Sequence, residues 1–177
     1  MNFKSIIKAS LILTIALNCY AEETEQGELD YYLSTGYLQE FQVPSDIQKI
    51  LSVEFEGNDY RNFKGTVIDI NHDQIKDYIV SSEPYLCGTG GCLFLIVDGA
   101  QTSIIGRIFG NPLFIFKKNI NGFPVVHAYS HSSAQSGSYN CYIYNGEKYV
   151  LVSSVFLQGD SVNQLFEKYK NKLTYDK

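Results

Sequence analysis

This sequence has no cluster of lysine and arginine, and its acidic residues outnumber its basic ones 19 to 14. That lack argues against nucleic acid as a partner, because phosphate recognition needs a basic patch. Beyond Ala21 there is no second long apolar run, so nothing further is expected to enter or span a membrane. There is also no G-x-S-x-G elbow, no finger-type spacing of metal-binding residues and no tryptophan. Fourteen tyrosines are present. They fit a sheet with amphipathic faces, one of which is open to a partner.

What is present begins with an address. "MNFKSIIKASLILTIALNCYA" places Lys4 and Lys8 before an apolar run from Ala9 to Leu17, then a small residue at Ala21 and an acidic "EET". That order is a secretory signal peptide, and its apolar run is shorter than the ~20 residues a bilayer-spanning helix needs. Cys19 raises a lipoprotein alternative, but Asn18 stands where a small Gly or Ala is wanted. The expectation is cleavage after Ala21 and a periplasmic or secreted protein. The division is then a signal peptide at 1–21, a polar N-terminal segment at 22–43 and a single β-rich domain at 44–177. Loss of Lys4 and Lys8 makes the net charge of −5 two units more negative.

Three cysteines follow that cleavage point. In an oxidising compartment, Cys87 and Cys92 in "YLCGTGGCLF" read as a local disulfide across a flexible Gly-rich turn. Closing so short a loop shapes a turn more than it stabilises a fold. Cys141, in "YNCYIYN", is left over. It reads as a buried thiol on a strand, with an intermolecular bridge or a reactive thiol as alternatives.

The fold class expected is α+β: a mostly antiparallel sheet of about eight strands with a helix near each end. "EETEQGE" reads as a polar tail. "PSDIQKILSVEF" reads as a short helix started by Pro44-Ser45. The strands are "KGTVIDI", "DYIVSSE", "CLFLIVD", "TSIIGRIF", "LFIFKK", "PVVHAYS", "YNCYIYN" and "KYVLVSSVF". Asn121-Gly122 and Asn145-Gly146 sit between apolar runs as hairpin signals. "DSVNQLFEKYKNKL" opens with a Ser161…Gln164 capping box and repeats apolar residues along one face, giving a terminal amphipathic helix that packs on the sheet.

Between two of the strands lies "VIDINHDQIKDYIV". Asp69, Asn71, Asp73 and Asp77 occupy positions 1, 3, 5 and 9 of a calcium loop, with the Ile75 carbonyl at position 7. Three carboxylates and one amide oxygen suit a hard cation that takes six or more oxygens. The flanking strands set it apart from an EF-hand, as do Gln74 and Val80 where that motif has Gly and Glu. It resembles the calcium loops of FG-GAP and integrin α-chain propeller repeats, D-x-[DN]-x-D-G-x-x-D, from which Gln74 departs at the glycine. The resemblance implies calcium as a cofactor; the alternative is a polar Asx-type turn joining two strands. The motif occurs once, whereas a propeller repeats it in each blade.

Residues 64 to 155 carry a wider likeness. The acidic loop, a strand, "CGTGGC", an apolar strand, "NGFPVV" and "YIYNGEKY" follow in that order. This resembles a group of small exported bacterial proteins with a D-x-N-x-D-G loop followed by C-G-x-G-G-C. The resemblance implies export and a fold only; it points to no particular activity.

Catalytic signals are thin. His127, Tyr129 and His131 share one face of a strand, where His127 and His131 lie ~13 Å apart, too far to bind one zinc. A small hydrolase would use His127 or His131 with Cys141 or one of the serines in "SHSSAQSGSY". The reading favoured by the residues is a non-catalytic binding protein with a protein partner in the periplasm, an inhibitor or immunity-type protein acting on an exported, cell-wall-degrading hydrolase. Its contact surface is expected on a Ser/Gly-rich loop between Ser130 and Tyr139, through Ser130, His131, Gln135, Ser138 and Tyr139, because such composition supplies adaptable hydrogen bonds with aromatic anchors.

Overall fold

Apolar residues fall on both faces of the central strands, and two stacked sheets with a helix outside each are the result. The structure, a computed structural model, describes residues 27–55, 63–82 and 86–169. The expected signal peptide, the expected polar tail up to Gln26 and the last part of the expected terminal helix lie outside the described residues. Among the described residues, no helix is long and apolar enough to cross a membrane.

One sheet has the order β1 (Leu29–Leu33), β8 (Leu113–Ile120), β9 (Phe123–Ser133), β10 (Ser136–Tyr144) and β11 (Tyr149–Gln158). The other runs β2 (Gln39–Phe41), β3 (Phe63–Ile68), β4 (Asp77–Ser81), β6 (Gly91–Asp98) and β7 (Ser103–Gly110). The two-residue β5 (Cys87–Gly88) pairs with β6 beyond the end of β4. Every pairing is antiparallel.

The period-2 alternation of strands explains the layers. Ile79, Phe94, Ile96, Leu113, Ile115, Val126 and Ala128 meet between the sheets. Their neighbours Tyr78, Val80, Leu95 and Val97 face outward beneath α1 (Ser45–Glu54), which contributes Ile47 and Leu51. On the other side Phe114, Phe116, Val125, Tyr129, Tyr139 and Cys141 lie beneath α2 (Asp160–Tyr169), which contributes Val162 and Tyr169. Strands buried on both faces read as unbroken apolar runs, which is why "CLFLIVD" has no polar alternation.

All eight expected stretches are strands, but they fall in two sheets rather than one, and the first helix follows β2 instead of preceding the strands. Three shorter strands were not expected. The segment taken as polar at 22–43 supplies β1 and β2, so the β-rich domain begins earlier than residue 44. Between them a 3-10 turn (Thr35–Tyr37) is clamped by Asn111, whose Oδ1 accepts the Thr35 N–H at 3.1 Å and whose Nδ2 donates to Thr35 Oγ1 at 3.0 Å. The expected loop at 130–139 is also corrected. It is the end of the β9–β10 hairpin, with ladder pairing of Ser133 with Ser136 and a turn at Ala134–Gln135.

Candidate functional site

The β3–β4 turn folds its acidic side chains onto its own backbone. Asp69 accepts the Asp73 N–H at 3.0 Å and the Gln74 N–H at 2.8 Å. Asn71 Oδ1 accepts the Asp73 N–H at 3.1 Å, and Asp73 Oδ1 accepts the Ile75 N–H at 2.7 Å. His72 and Gln74 take φ of 62° and 72°. Gln74 therefore adopts the left-handed conformation that glycine supplies more easily at that position. His72 Nε2 reaches Asp30 Oδ2 of β1 at 3.6 Å, tying the turn to the other sheet.

Asp77 differs from the other three. Its side chain is fully buried, and its two oxygens accept the N–H groups of Ile70 and Gly99, each at 2.9 Å. Burial raises its pKa, the two N–H groups oppose that, and the nearby charges of Asp98 and Asp73 add to it. Gly99 allows the approach: a Cβ there would lie 1.9 Å from the Lys76 carbonyl oxygen. Asp77 thus joins the β3–β4 turn to the β6–β7 turn.

Asp69, Asn71 and Asp73 remain exposed or half-exposed, with lone pairs to spare, since a carboxylate offers about four acceptor positions. Their oxygen chemistry suits calcium, with Ile75 supplying a carbonyl. Among the described residues, no three His, Cys, Asp or Glu side chains come together as a metal-binding group.

Cys87 and Cys92 are directly opposite in the β5–β6 hairpin and form the expected disulfide. The tip of that hairpin docks on β9: the His131 N–H donates to the Gly90 carbonyl at 3.0 Å. Next to it Ser130 Oγ donates to the Phe109 carbonyl of β7 at 3.1 Å. Two turns far apart in sequence are thereby held at one end of the molecule. Leu86 and Phe109 are exposed there, and Ser133 and Ser136 share a hydrogen bond at the β9–β10 turn. Gln135 is at the same end, its carbonyl accepting the Gly159 N–H at 2.8 Å.

The five residues expected to form one contact surface are divided among four places. Ser130 and Ser138 are opposite each other on one face. His131 is on the other face, stacked at 6.2 Å on Phe166 of α2 and edge-on to Tyr129 at 4.6 Å. Gln135 is at the tip. Tyr139 is a correction: it is core, packed against Phe114 and His127. Alternation along the strand sends neighbouring residues to opposite faces, so a shared stretch of sequence was not a shared surface.

Cys141 and His127 are directly opposite in the β9–β10 ladder, both buried beneath α2. Cys141 is disulfide-bonded, so it is not the lone thiol that was expected. His127 sits between the rings of Phe116 and Tyr139, each at 4.8 Å, and its Nδ1 has no hydrogen-bond partner. Burial pushes its pKa down to about 3, with Lys168 adding in the same direction. It is a neutral core imidazole. Two open grooves of about 350 and 340 Å³ run beside the 3-10 turn and beside the acidic turn. Neither is lined by His127, His131, Cys141 or the serines of 130–138.

Leu86, Phe109, Asn140, Ser154 and Phe156 were missed by the sequence reading. A signal existed: from Phe123 to Asn145, and again from Tyr149 to Gln158, no Asp, Glu, Lys or Arg occurs. Searches for a matching family model, a similar curated protein and a similar solved structure each found no match.

Proposed function

We propose that this protein is an exported, non-catalytic binding protein that inhibits an exported, cell-wall-degrading hydrolase, in the manner of an immunity protein. The observation that carries this reading is the joined end of the molecule. The His131–Gly90 hydrogen bond fastens the disulfide-set β5–β6 turn to the end of β9, and the Ser130–Phe109 bond fastens the end of β7 there too. These elements present exposed apolar Leu86 and Phe109 beside serine and glutamine groups. A rigid apolar centre with a polar rim is the anatomy of a binding epitope. An acidic chain is steered onto basic wall-degrading enzymes by long-range charge. Calcium at Asp69, Asn71, Asp73 and the Ile75 carbonyl belongs to the same reading as a fastener of the β3–β4 turn, and Asp77 supports it from behind through Ile70.

The test is a cell-wall turbidity assay with purified hydrolases of the periplasm, run with and without this protein. The reading expects stoichiometric slowing of at least one of them, lost in a Phe109→Ser variant. Unchanged rates across the panel would overturn it. Turnover of wall, peptide or ester substrates by this protein alone would favour the hydrolase alternative instead.

A further inference from the structure

Natural sheets protect their edges with charge, proline, shortness or bulges, because an open edge templates pairing with another chain. Three of the four sheet edges here follow that rule. β1 is five residues long, carries Asp30 and is flanked by the Glu28–Lys117 ion pair at 3.0 Å. β2 has three residues, one of them Glu40. β7 carries Arg107, paired with Glu54. β11 is the exception. Its ten residues, YVLVSSVFLQ, contain no charge and no proline. β10 lies on one side of it, and among the described residues no strand lies on the other.

We propose that β11 is the self-association edge of this protein, where a second copy of the chain pairs antiparallel across a two-fold axis. The two five-stranded sheets then become one continuous sheet. The register follows from the strand itself. In the pairing with β10, Cys141 is opposite Ser153 and Tyr142 is opposite Leu151, so Val152 is a bulge. Skipping that residue restores the in–out alternation along β11, which leaves Leu151, Ser154 and Phe156 on one face. A two-fold axis through Ser154 then sets Leu151 of each copy beside Phe156 of the other. On the opposite face it sets Val150 beside Leu157.

Leu151 and Phe156 are 54 % and 60 % exposed, among the larger apolar exposures of the described residues. This register covers both at once. A two-fold interface must be self-complementary, and this strand is.

Charge selects the occupant. Two copies of a chain with net charge −5 repel each other wherever their acidic faces meet. They meet without that cost along a strand that has no charge.

The experiment is sedimentation of the full exported chain at micromolar concentration, with three variants. The wild type is expected as a dimer. Leu151→Asp and Phe156→Asp, at exposed positions, are expected as monomers, with dissociation constants at least about 100-fold weaker and melting temperatures near that of the wild type. Directly opposed residues in an antiparallel pair lie ~4.5–5.5 Å apart at Cα, within the span of a disulfide. Ser154→Cys should therefore cross-link to itself under mild oxidation, and Ser136→Cys should not. A monomeric wild type would overturn the proposal. So would a dimer that survives both Asp variants, or cross-linking no faster at 154 than at 136. The cysteine variant keeps the test valid even if an Asp variant fails to fold.

Discussion

The β3–β4 turn and the β9–β11 end of the first sheet use polar residues in opposite ways. In the turn, Asp and Asn side chains point inward on their own backbone and replace the hydrogen bonds that a ladder would supply. Along β9 and β10 the ladder pairs the backbone on both sides, so Ser138 and Asn140, with Ser154 beside them on β11, are not needed to replace it. Their side chains decorate a surface instead, as when Ser154 Oγ donates to Asn140 Oδ1 at 2.6 Å. The same residue chemistry is structural where the chain is irregular and available for recognition where it is regular. Charge follows the division: three carboxylates cluster in the turn, and none occurs along the three strands.

The largest test of this contrast is Asp77. Its buried carboxylate accepts two N–H groups from two different turns. Removing it leaves both donors unsatisfied, so Asp77→Ala should cost about 3 kcal/mol by urea unfolding. Asp73→Ala, at an exposed position, should cost well under about 1 kcal/mol. Similar losses for the two would show that the turn has no buried anchor.

A second test is acid sensitivity. His127 is neutral in the folded protein, its pKa pushed down to about 3, whereas an unfolded histidine titrates near 6.5. The unfolded chain therefore takes up the proton first as pH falls. The stability His127 allows is complete above pH ~6.5 and declines by about 1.4 kcal/mol per unit down to pH ~3. Asp77 has the opposite sign: its raised pKa means the folded state gains stability as pH falls through that value. Phe fits among Phe116 and Tyr139, so His127→Phe should flatten the acid limb of a stability–pH curve. An unaltered slope would place the acid sensitivity elsewhere.

These sites also show what was legible in the sequence. Both helices and eight strands follow from periodicity, because burial imposes 3.6 or 2 on any stretch that packs. β1 escaped because "LDYYL" is short and lies in polar surroundings, and its strand character comes from pairing with β8 rather than from its own pattern. The serine-rich stretch was read as a loop from composition, yet ladder pairing with β11 makes it strand. Asp77 and Asp69 look alike in the motif. Only the fold distinguishes them, since Gly99 lies 22 residues further on. The disulfide was legible because its two halves are adjacent, and the link between Gly90 and His131 was not.

Smaller still is the calcium effect. A ligand at ten times its dissociation constant stabilises by about 1.4 kcal/mol, a shift of a few degrees for a chain of this size. Thermal melting should rise by that amount with millimolar calcium, and Asp69→Ala should abolish the rise. No shift in the wild type would leave the turn as an Asx-type connection held by its own hydrogen bonds.

The smallest effect on stability belongs to the surface that matters most for the proposed function. Leu86 and Phe109 are about half exposed, so exchanging either for serine removes little buried area and should change unfolding by no more than about 0.5 kcal/mol. The hydrogen bonds that hold β9 to the β5–β6 turn and to β7 use the backbone of Gly90 and Phe109, which the exchange leaves in place. A binding epitope concentrates its energy in a few apolar anchors. The same exchange should therefore weaken inhibition of the hydrolase at least tenfold, in the turbidity assay, while the melting curve stays where it was. If Leu86→Ser and Phe109→Ser both unfolded the protein, these side chains would be part of the core. If both folded and inhibited like the wild type, the contact would lie on another face, and the joined turns would serve only to close that end of the sandwich.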